Sequence, residues 1–243
     1  MQIKNTANKE EINKFDKLAN EWWDPKGKFA PLHKFNPVRQ EYLINKISKH
    51  FNICLNNQKP FDRLDILDVG CGGGLLCEPL SRLGGNVTGI DAANTNIKVA
   101  KIHMKKSNLN INYLNKKPEE ILDKKFDVIL CMEIIEHVED VNFFVESCIK
   151  LLKNNGLIFF ATLNKTFKSF ALAIVGAEYV LRWLPIGTHN WKKFMSPNEI
   201  INKVSKYYLT HVETKGVIFN PFKNKWKLSD DISVNYMCYF KKN

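Results

Sequence analysis

The stretch that decides the fold runs over residues 67–74 and reads Leu67-Asp68-Val69-Gly70-Cys71-Gly72-Gly73-Gly74. It continues a short apolar run and is followed by a helix-compatible stretch over 75–83. Glycines are needed where the backbone turns sharply and where a ligand must approach main-chain N–H groups with no Cβ atom in the way. We therefore predict a strand, a glycine-rich turn and a helix, with a ligand held at the turn.

Short apolar runs alternate with helical patterns on both sides of this turn. The predicted strands are Ile66–Val69, Val87–Ile90, Ile111–Leu114, Phe126–Cys131 and Leu157–Leu163. Helices are predicted over Lys9–Trp23, Pro37–His50, Leu75–Leu83, Asn96–Ser107 and Val141–Leu152. Such alternation is typical of a parallel sheet with helices on both faces. Two late β-rich stretches, Leu209–Phe219 and Val234–Phe240, are predicted to complete the sheet as an antiparallel hairpin.

An acidic residue, Asp91, follows the second predicted strand, 21 residues beyond Gly70. In nucleotide-binding α/β sheets a carboxylate at this position accepts hydrogen bonds from the ribose hydroxyls. A dinucleotide fingerprint would require glycine where Leu75 stands, and the Gly-Lys-Ser/Thr of a P-loop is absent. What remains, an acidic and an apolar residue followed by Gly-x-Gly-x-Gly, resembles the donor-binding loop of Rossmann-like S-adenosylmethionine methyltransferases.

Two carboxylates and an imidazole, Glu133, Glu136 and His137, follow the strand Phe126–Cys131. Ligands bind beyond the carboxyl ends of parallel strands near the point where strand order reverses, so this turn is expected beside the glycine loop. In a helical turn the three side chains would share one face. They could then bind a divalent cation, with Mg²⁺ favoured and zinc possible in principle. The alternatives are a metal-free base, His137 or a glutamate, and a purely structural turn that lines the donor pocket.

The longest hydrophobic stretch runs from Phe167 to Ile186 and carries only a narrow polar stripe. On a helical wheel Lys168, Glu178 and Arg182 fall within an arc of about 80°. Basic residues flank the stretch on both sides. The segment 165–193 could therefore lie in a membrane interface with its basic residues against anionic lipid. The alternative is an ordinary buried helix.

The chain has 243 residues, is 44% hydrophobic and carries a net charge of +11. This length suits one domain of up to about 250 residues or two small ones. Residues 1–60 carry +5, residues 61–160 carry −2 and residues 161–243 carry +8. A basic flank suits an anionic membrane or a nucleic acid. An RNA methyltransferase would interleave basic and aromatic residues at the mouth of its site, where this chain has an apolar segment, so no nucleic-acid partner is expected.

The six cysteines form no Cys-x-x-Cys pair, and the amino terminus resembles neither a secretory signal nor a transit peptide. We therefore expect reduced thiols and a cytoplasmic location, with peripheral association at the inner face of the cell membrane through residues 165–193.

Several longer motifs surround the glycine loop. They are Glu21-Trp22-Trp23-Asp24, the stretch Phe29–Arg39 with its Pro-Leu-His, Val87–Asp91, Cys131–Val138, Ala161–Asn164, Val175–Tyr179, Gly187-Thr188-His189, Asn220-Pro221-Phe222 and Val234–Met237. With them the chain resembles the ubiquinone-biosynthesis O-methyltransferase family nearly end to end. The glycine loop alone indicates only the superfamily, whereas the Trp-Trp-Asp, Pro-Leu-His and Gly-Thr-His segments are far more specific.

The resemblance implies a class I methyltransferase: an α/β, Rossmann-like fold with a mostly parallel seven-stranded sheet, an antiparallel last hairpin and an N-terminal helical cap. A single domain is expected, divided into the cap (1–60), the donor-binding core (61–164), the apolar segment (165–193) and the residues that complete the sheet (194–243). The implied activity is methylation of polyprenylated catechols at both O-methylation steps of ubiquinone biosynthesis, on a 2-polyprenyl-6-hydroxyphenol and on a 3-demethyl ubiquinol. Other enzymes of that pathway are expected partners.

The resemblance also assigns site residues. Donor contacts are expected from Arg39, Gly70, Gly72, Asp91 and Met132, with Arg39 on the methionyl carboxylate and Met132 against adenosine. Glu133, Glu136 and His137 match the family's divalent-cation turn. His137 and Glu133 are the expected catalytic residues, beside which an ionised catechol oxygen would attack the sulfonium methyl in line.

Overall fold

The computed structural model describes residues 5–6, 11–12, 19–172, 190–220 and 223–243. Within these residues eight strands form one sheet: β1 (Asp65–Val69), β2 (Asn86–Ile90), β3 (Asn112–Leu114), β4 (Phe126–Met132), β5 (Leu152–Leu163), β6 (Leu209–Asn220), β7 (Lys225–Ser229) and β8 (Asn235–Lys242). Their spatial order is β3-β2-β1-β4-β5-β8-β6-β7.

Strands β1 to β5 are parallel, and β6, β7 and β8 join antiparallel at one side. From β1 the chain moves outward to β2 and β3, then crosses back to β4 and β5. Strand order therefore reverses between β1 and β4, and a ligand crevice is expected at the carboxyl ends of these two strands.

Helices lie against the sheet: α1 (Ala30–His50), α2 (Cys77–Arg82), α3 (Asn94–Lys106), α4 (Val141–Lys150) and α5 (Pro197–Val204). Successive strand residues point to opposite faces, so Ile66 packs in one hydrophobic cluster and Leu67 in the other. The central strands are apolar almost throughout because both faces are covered. This confirms the predicted fold class.

The sheet has one strand more than the seven expected. The additional strand, β7, is five residues long and pairs with β6, placing Trp226 opposite Phe219. Its sequence alternates lysines with apolar residues, because one side packs on the protein and the other faces water at the sheet edge. Such a short run lacks the apolar continuity that marked the central strands.

Helix α1 begins at Ala30, seven residues before the predicted start at Pro37. Pro31 stands in the first turn, where a missing N–H costs little. Pro37 lies inside the helix and removes one backbone hydrogen bond, an interruption that costs about 3 kcal/mol. Burial of Phe35, Val38 and Tyr42 on the same helix offsets this cost.

Two predicted elements lie largely outside the described residues. The first is the helix predicted over Lys9–Trp23. The described part at its end contains a short 3₁₀ turn, Ala19–Glu21. The other is the apolar segment, of which 173–189 are not described. None of the described helices combines the length and the apolar character needed to cross a bilayer.

Candidate active site

The glycine loop leaves β1 and turns above the carboxyl end of the sheet. Gly70 and Gly72 have φ values of +74° and +52°, which residues with a Cβ atom rarely adopt. A Cβ at Gly70 would lie 2.8 Å from Ile134 Cδ1, so glycine also allows the turn after β4 to approach the loop. The sequence prediction of a strand, a glycine turn and a helix is confirmed, although α2 begins only at Cys77.

Asp91 stands directly after β2 and faces the loop. Its Oδ2 accepts a hydrogen bond from the Gly72 N–H at 2.9 Å, and its Oδ1 accepts one from the Ala93 N–H at 2.8 Å. The Asn96 amide donates to the same Oδ1 at 3.3 Å. These bonds fix the carboxylate between the loop and α3, at the place predicted from its spacing.

Two tryptophans of the N-terminal cap cover the loop. A Cβ atom at Gly72 or Gly73 would overlap the Trp22 ring, whose Nε1 donates to Asn96 Oδ1 at 2.8 Å. Trp23 Nε1 donates to the Gly73 carbonyl at 2.9 Å. Gly72 therefore faces Trp22 and the Asp91 carboxylate, whereas Gly70 and Asp91 line the adjoining cavity.

That cavity has a volume of about 740 Å³ and extends from the glycine loop to the β6–β7 edge of the sheet. Arg39, Asp91 and Met132, all predicted donor contacts, lie on its wall together with Glu133, Glu136 and His137. The carboxyl ends of β1, β2 and β4 thus bring the two predicted motifs to one site, as the sheet topology requires.

Arg39 and Glu133 form an ion pair within this cavity. The Arg39 side chain is 3% exposed, and its Nη2 lies 2.5 Å from Glu133 Oε1. Its Nε is buried without a hydrogen-bond partner among the described residues. Burial lowers the pKa of Arg39, and the neighbouring Glu133 opposes that shift. The unused N–H is what a ligand carboxylate would satisfy, so Arg39 fits the methionyl end of the donor.

Glu133 has a left-handed backbone, with φ at +55°. Its N–H donates to the Ala161 carbonyl of β5 at 2.9 Å, which ties the residue to the sheet. A non-glycine residue pays about 1–2 kcal/mol for this conformation. Such outliers persist where surrounding structure holds them, commonly at functional sites.

Glu136 and His137 lie in a single 3₁₀ turn, Ile135–His137. The Glu136 carboxylate is buried, and neither oxygen has a hydrogen-bond partner in the described part of the chain. Burial, and then the charge of Glu133, raise the pKa of Glu136 to about 7. His137 Nδ1 lies 3.0 Å from Glu11 Oε2 of the N-terminal segment.

The expected three-ligand metal site does not fit this arrangement. Glu133 precedes the 3₁₀ turn, so the three side chains do not share one helical face, and its carboxylate faces Arg39. His137 meets Glu11. Across the described ranges no group of three His, Cys, Asp or Glu side chains is placed to hold a metal ion. The cation expected from the resemblance is therefore not supported by these residues.

Comparison with known proteins identifies the family. A methyltransferase-domain model matches residues 67–160. A protein from Pelagibacter ubique named ubiquinone biosynthesis O-methyltransferase is 55% identical over 240 residues, which is 98% of this chain and 100% of that relative. The chain belongs to the ubiquinone biosynthesis O-methyltransferases. A relative with the same name from Bartonella tribocorum is 50% identical and covers 100% of this chain and 99% of its own.

Comparison with solved structures shows that the chain has the class I methyltransferase fold. The magnesium protoporphyrin IX methyltransferase ChlM of Synechocystis PCC 6803, with bound SAH, is 14% identical and has a TM-score of 0.66 over 95% of each chain. The N-methyltransferase NodS of Bradyrhizobium japonicum, in complex with S-adenosyl-L-homocysteine, is 15% identical with a TM-score of 0.60 over 96% of this chain and 97% of its own. At such identities the likeness concerns the fold alone.

Sequence reasoning missed several residues of the site. Asn96 links the Trp22 indole to Asp91, and Glu11 reaches His137 from the N-terminal segment. Phe35, Phe219 and Trp226 line the apolar end of the cavity. The spacing of Asn96 from Asp91 could have indicated the first contact, whereas the others join distant parts of the sequence.

Proposed function

We propose that this protein transfers the methyl group of S-adenosylmethionine to a catechol hydroxyl of polyprenylated precursors, at both O-methylation steps of ubiquinone biosynthesis. One observation carries the proposal: the glycine loop with Asp91 and the acidic turn 133–137 line the same cavity. A donor held by the first would present its methyl group to an acceptor held by the second. Membership of the family supports the assignment of this reaction to ubiquinone biosynthesis.

We infer the donor's position from the side chains around the loop. Asp91 accepts hydrogen bonds from the ribose hydroxyls, and the unused Arg39 Nε donates to the methionyl carboxylate. Met132, at the end of β4, packs against the adenosine. When bound, the donor supplies an activated methyl group, so the protein needs no covalent intermediate. The contribution of these residues is to hold the methyl group in line with the acceptor oxygen.

The acceptor oxygen must lose its proton. A phenol has a pKa of about 10, so at neutral pH most of it is un-ionised and weakly nucleophilic. We propose that Glu133 and His137 hold the catechol hydroxyls and that His137 accepts the proton. Glu136, held un-ionised in part by its burial, lies beside them as a second group able to exchange a proton.

Association with a membrane surface is proposed through the apolar segment 165–193. Its described flanks expose Phe167, Phe170, Leu172 and Trp191. Lys165 lies 5.9 Å from the centre of the Trp191 ring, and Lys192 is exposed nearby. Aromatic and basic residues together are the composition that binds an anionic interface. Leu172 also lines the cavity, so the proposed membrane surface borders the site.

The test uses the purified full chain with methyl-labelled S-adenosylmethionine. Each of two short-chain acceptors, a 2-polyprenyl-6-hydroxyphenol and a 3-demethyl ubiquinol, is incubated separately, and the products are identified by mass spectrometry. We expect O-methylated product from both. Product from one acceptor alone would limit the enzyme to a single step, and labelled product from neither would overturn the proposal.

A parallel incubation with EDTA tests the cation. Unchanged turnover would assign proton transfer to the protein side chains alone. If EDTA lowers turnover and added Mg²⁺ restores it, the turn 133–137 must rearrange around a metal ion. In that case Glu133 would separate from Arg39, and His137 from Glu11. Donor affinity measured by titration calorimetry with and without EDTA separates an effect on the acceptor from one on the donor.

A further inference from the structure

Three aromatic side chains line the part of the cavity next to strands β6 and β7. Phe35 belongs to α1, Phe219 to β6 and Trp226 to β7. The Trp226 ring lies 4.7 Å from Phe35 and 5.4 Å from Phe219, measured between ring centres. All three residues line the cavity. We call this set the aromatic wall.

Arg39 connects the aromatic wall to the acidic turn 133–137. The Arg39 guanidinium lies over the Phe35 ring, 3.9 Å from its centre, while its Nη2 contacts Glu133. The succession Glu133, Arg39, Phe35, Trp226 thus leads by direct contacts from the acidic turn to the edge of the sheet. A hydrocarbon substituent on a ring held at Glu133 would meet Phe35 first.

The side chains of the aromatic wall become more exposed to solvent from Phe35 towards the sheet edge. Phe35 is buried, whereas Phe219 and Trp226 are half-buried. Lys225 and Lys227, the neighbours of Trp226 along β7, are exposed. Trp226 therefore faces the protein from an edge strand whose other side faces water. An apolar chain could enter at this edge and lie against the rings as far as Phe35.

We propose that Phe35, Phe219 and Trp226 bind the first isoprene units of the acceptor tail and so favour prenylated acceptors over bare catechols. This inference rests on the proposed function. Apolar surface against aromatic rings is stabilised by the removal of both from water. A catechol hydroxyl at the same place would lose its hydrogen bonds to water, which disfavours the opposite orientation of the acceptor. The wall thereby directs the hydroxyls towards Glu133.

The test compares one catechol ring with and without two isoprene units. We measure kcat and KM of the full chain and of the variants Trp226→Ala and Phe219→Ala, with Lys227→Ala as the matched control on the same strand. The preference is the ratio of kcat/KM for the prenylated acceptor to that for the bare one. We expect this ratio to fall at least tenfold in both aromatic variants, mainly through KM of the prenylated acceptor, and to stay within twofold of wild type in Lys227→Ala.

An unchanged ratio in the aromatic variants would overturn the inference. An equal loss of kcat/KM on both acceptors would overturn it as well, since the aromatic wall would then stabilise the fold or bind the catechol ring rather than the tail. Thermal melting and donor affinity show whether each variant is folded. Phe219→Ala carries the test if Trp226→Ala does not fold. If the wild type methylates neither acceptor, the proposed function fails. Titration calorimetry of the prenylated catechol with wild type and with Phe219→Ala then tests the tail-binding role of the aromatic wall independently of activity. Tighter binding to wild type supports that role, and equal or absent binding overturns it.

Discussion

Arg39 and Glu133 are joined by an ion pair of 2.5 Å although 94 residues separate them in the sequence. Arg39 comes from the long helix of the N-terminal cap, and Glu133 from the turn that follows β4. The pair therefore connects the cap to the Rossmann-like core at the point where strand order reverses. Because both residues line the cavity, the same contact positions the proposed donor and acceptor groups.

Replacing Arg39 tests this connection. In Arg39→Ala the Glu133 carboxylate loses its partner in a largely buried place, so we expect the free energy of unfolding to fall by about 2 kcal/mol. Donor affinity should fall at least tenfold, since the proposed contact to the methionyl carboxylate is lost as well. Chemical denaturation and titration calorimetry measure the two effects.

The control for Arg39 is Lys28→Ala. Lys28 pairs with Glu21, but these side chains are 49% and 34% exposed. A solvent-exposed pair contributes about 1 kcal/mol or less. We therefore expect little change in stability and none in donor affinity. Equal effects of the two substitutions would show that the Arg39 pair has no special role.

Asp91→Ala tests the donor site. The substitution removes both proposed ribose contacts and the acceptor for the Gly72 and Ala93 amides. We expect donor affinity to fall by about a hundredfold, which corresponds to ~2.7 kcal/mol. Asp123→Ala, at an exposed position before β4, should leave donor binding unchanged. Wild-type affinity in Asp91→Ala would refute the role assigned to this carboxylate.

The parallel core could be predicted because central strands covered on both faces are nearly continuous apolar runs, as over residues 128–132 of β4. The same reasoning failed at β7, where alternating lysines leave only Trp226 and Leu228 as apolar signals. The prolines Pro31 and Pro37 were misleading in a different way. A proline commonly marks the boundary of a helix, but both residues lie within α1. Burial of that helix against the sheet outweighs the local preference of proline.

For the site, the sequence predicted which residues would meet but not how they pair. Parallel strand ends share one edge, so Asp91 and the turn 133–137 had to lie near the glycine loop. The left-handed backbone of Glu133 is held by its hydrogen bond to β5, and its pairing with Arg39 depends on contact between the cap and the core. No local pattern encodes those contacts, and the predicted metal site depended on a regular helical turn that the structure does not have there.

Asp68 gives a prediction of pH dependence. This carboxyl is buried under the glycine loop, accepts a hydrogen bond from the Cys77 thiol at 3.2 Å, and has a pKa raised by burial to about 6. Between the unfolded pKa near 4 and the folded value, the native state binds the proton and the unfolded state does not. Stability should therefore fall by about 2–3 kcal/mol as pH rises through this window.

Asp68→Asn removes this ionisation. We expect the variant to be more stable than wild type at pH 7.5, with the difference shrinking towards zero at pH 4. Urea unfolding at several pH values measures it. A stability difference that is constant with pH would show that Asp68 is already ionised in the folded protein at pH 4.

Phe167→Ser tests the proposed membrane surface against a closely matched control. Phe167 is 83% exposed at the start of the apolar segment, and Leu122, also 83% exposed, lies outside that segment in the connection before β4. Neither side chain is packed, so both serine variants should keep the wild-type melting temperature. Loss of one interfacial aromatic side chain should weaken binding to anionic vesicles about tenfold, whereas Leu122→Ser should bind as wild type does. Co-sedimentation with vesicles containing phosphatidylglycerol measures this. Equal binding by the two variants would show that the membrane contact lies elsewhere. Binding that does not depend on anionic lipid would show that the lysines do not contribute to it.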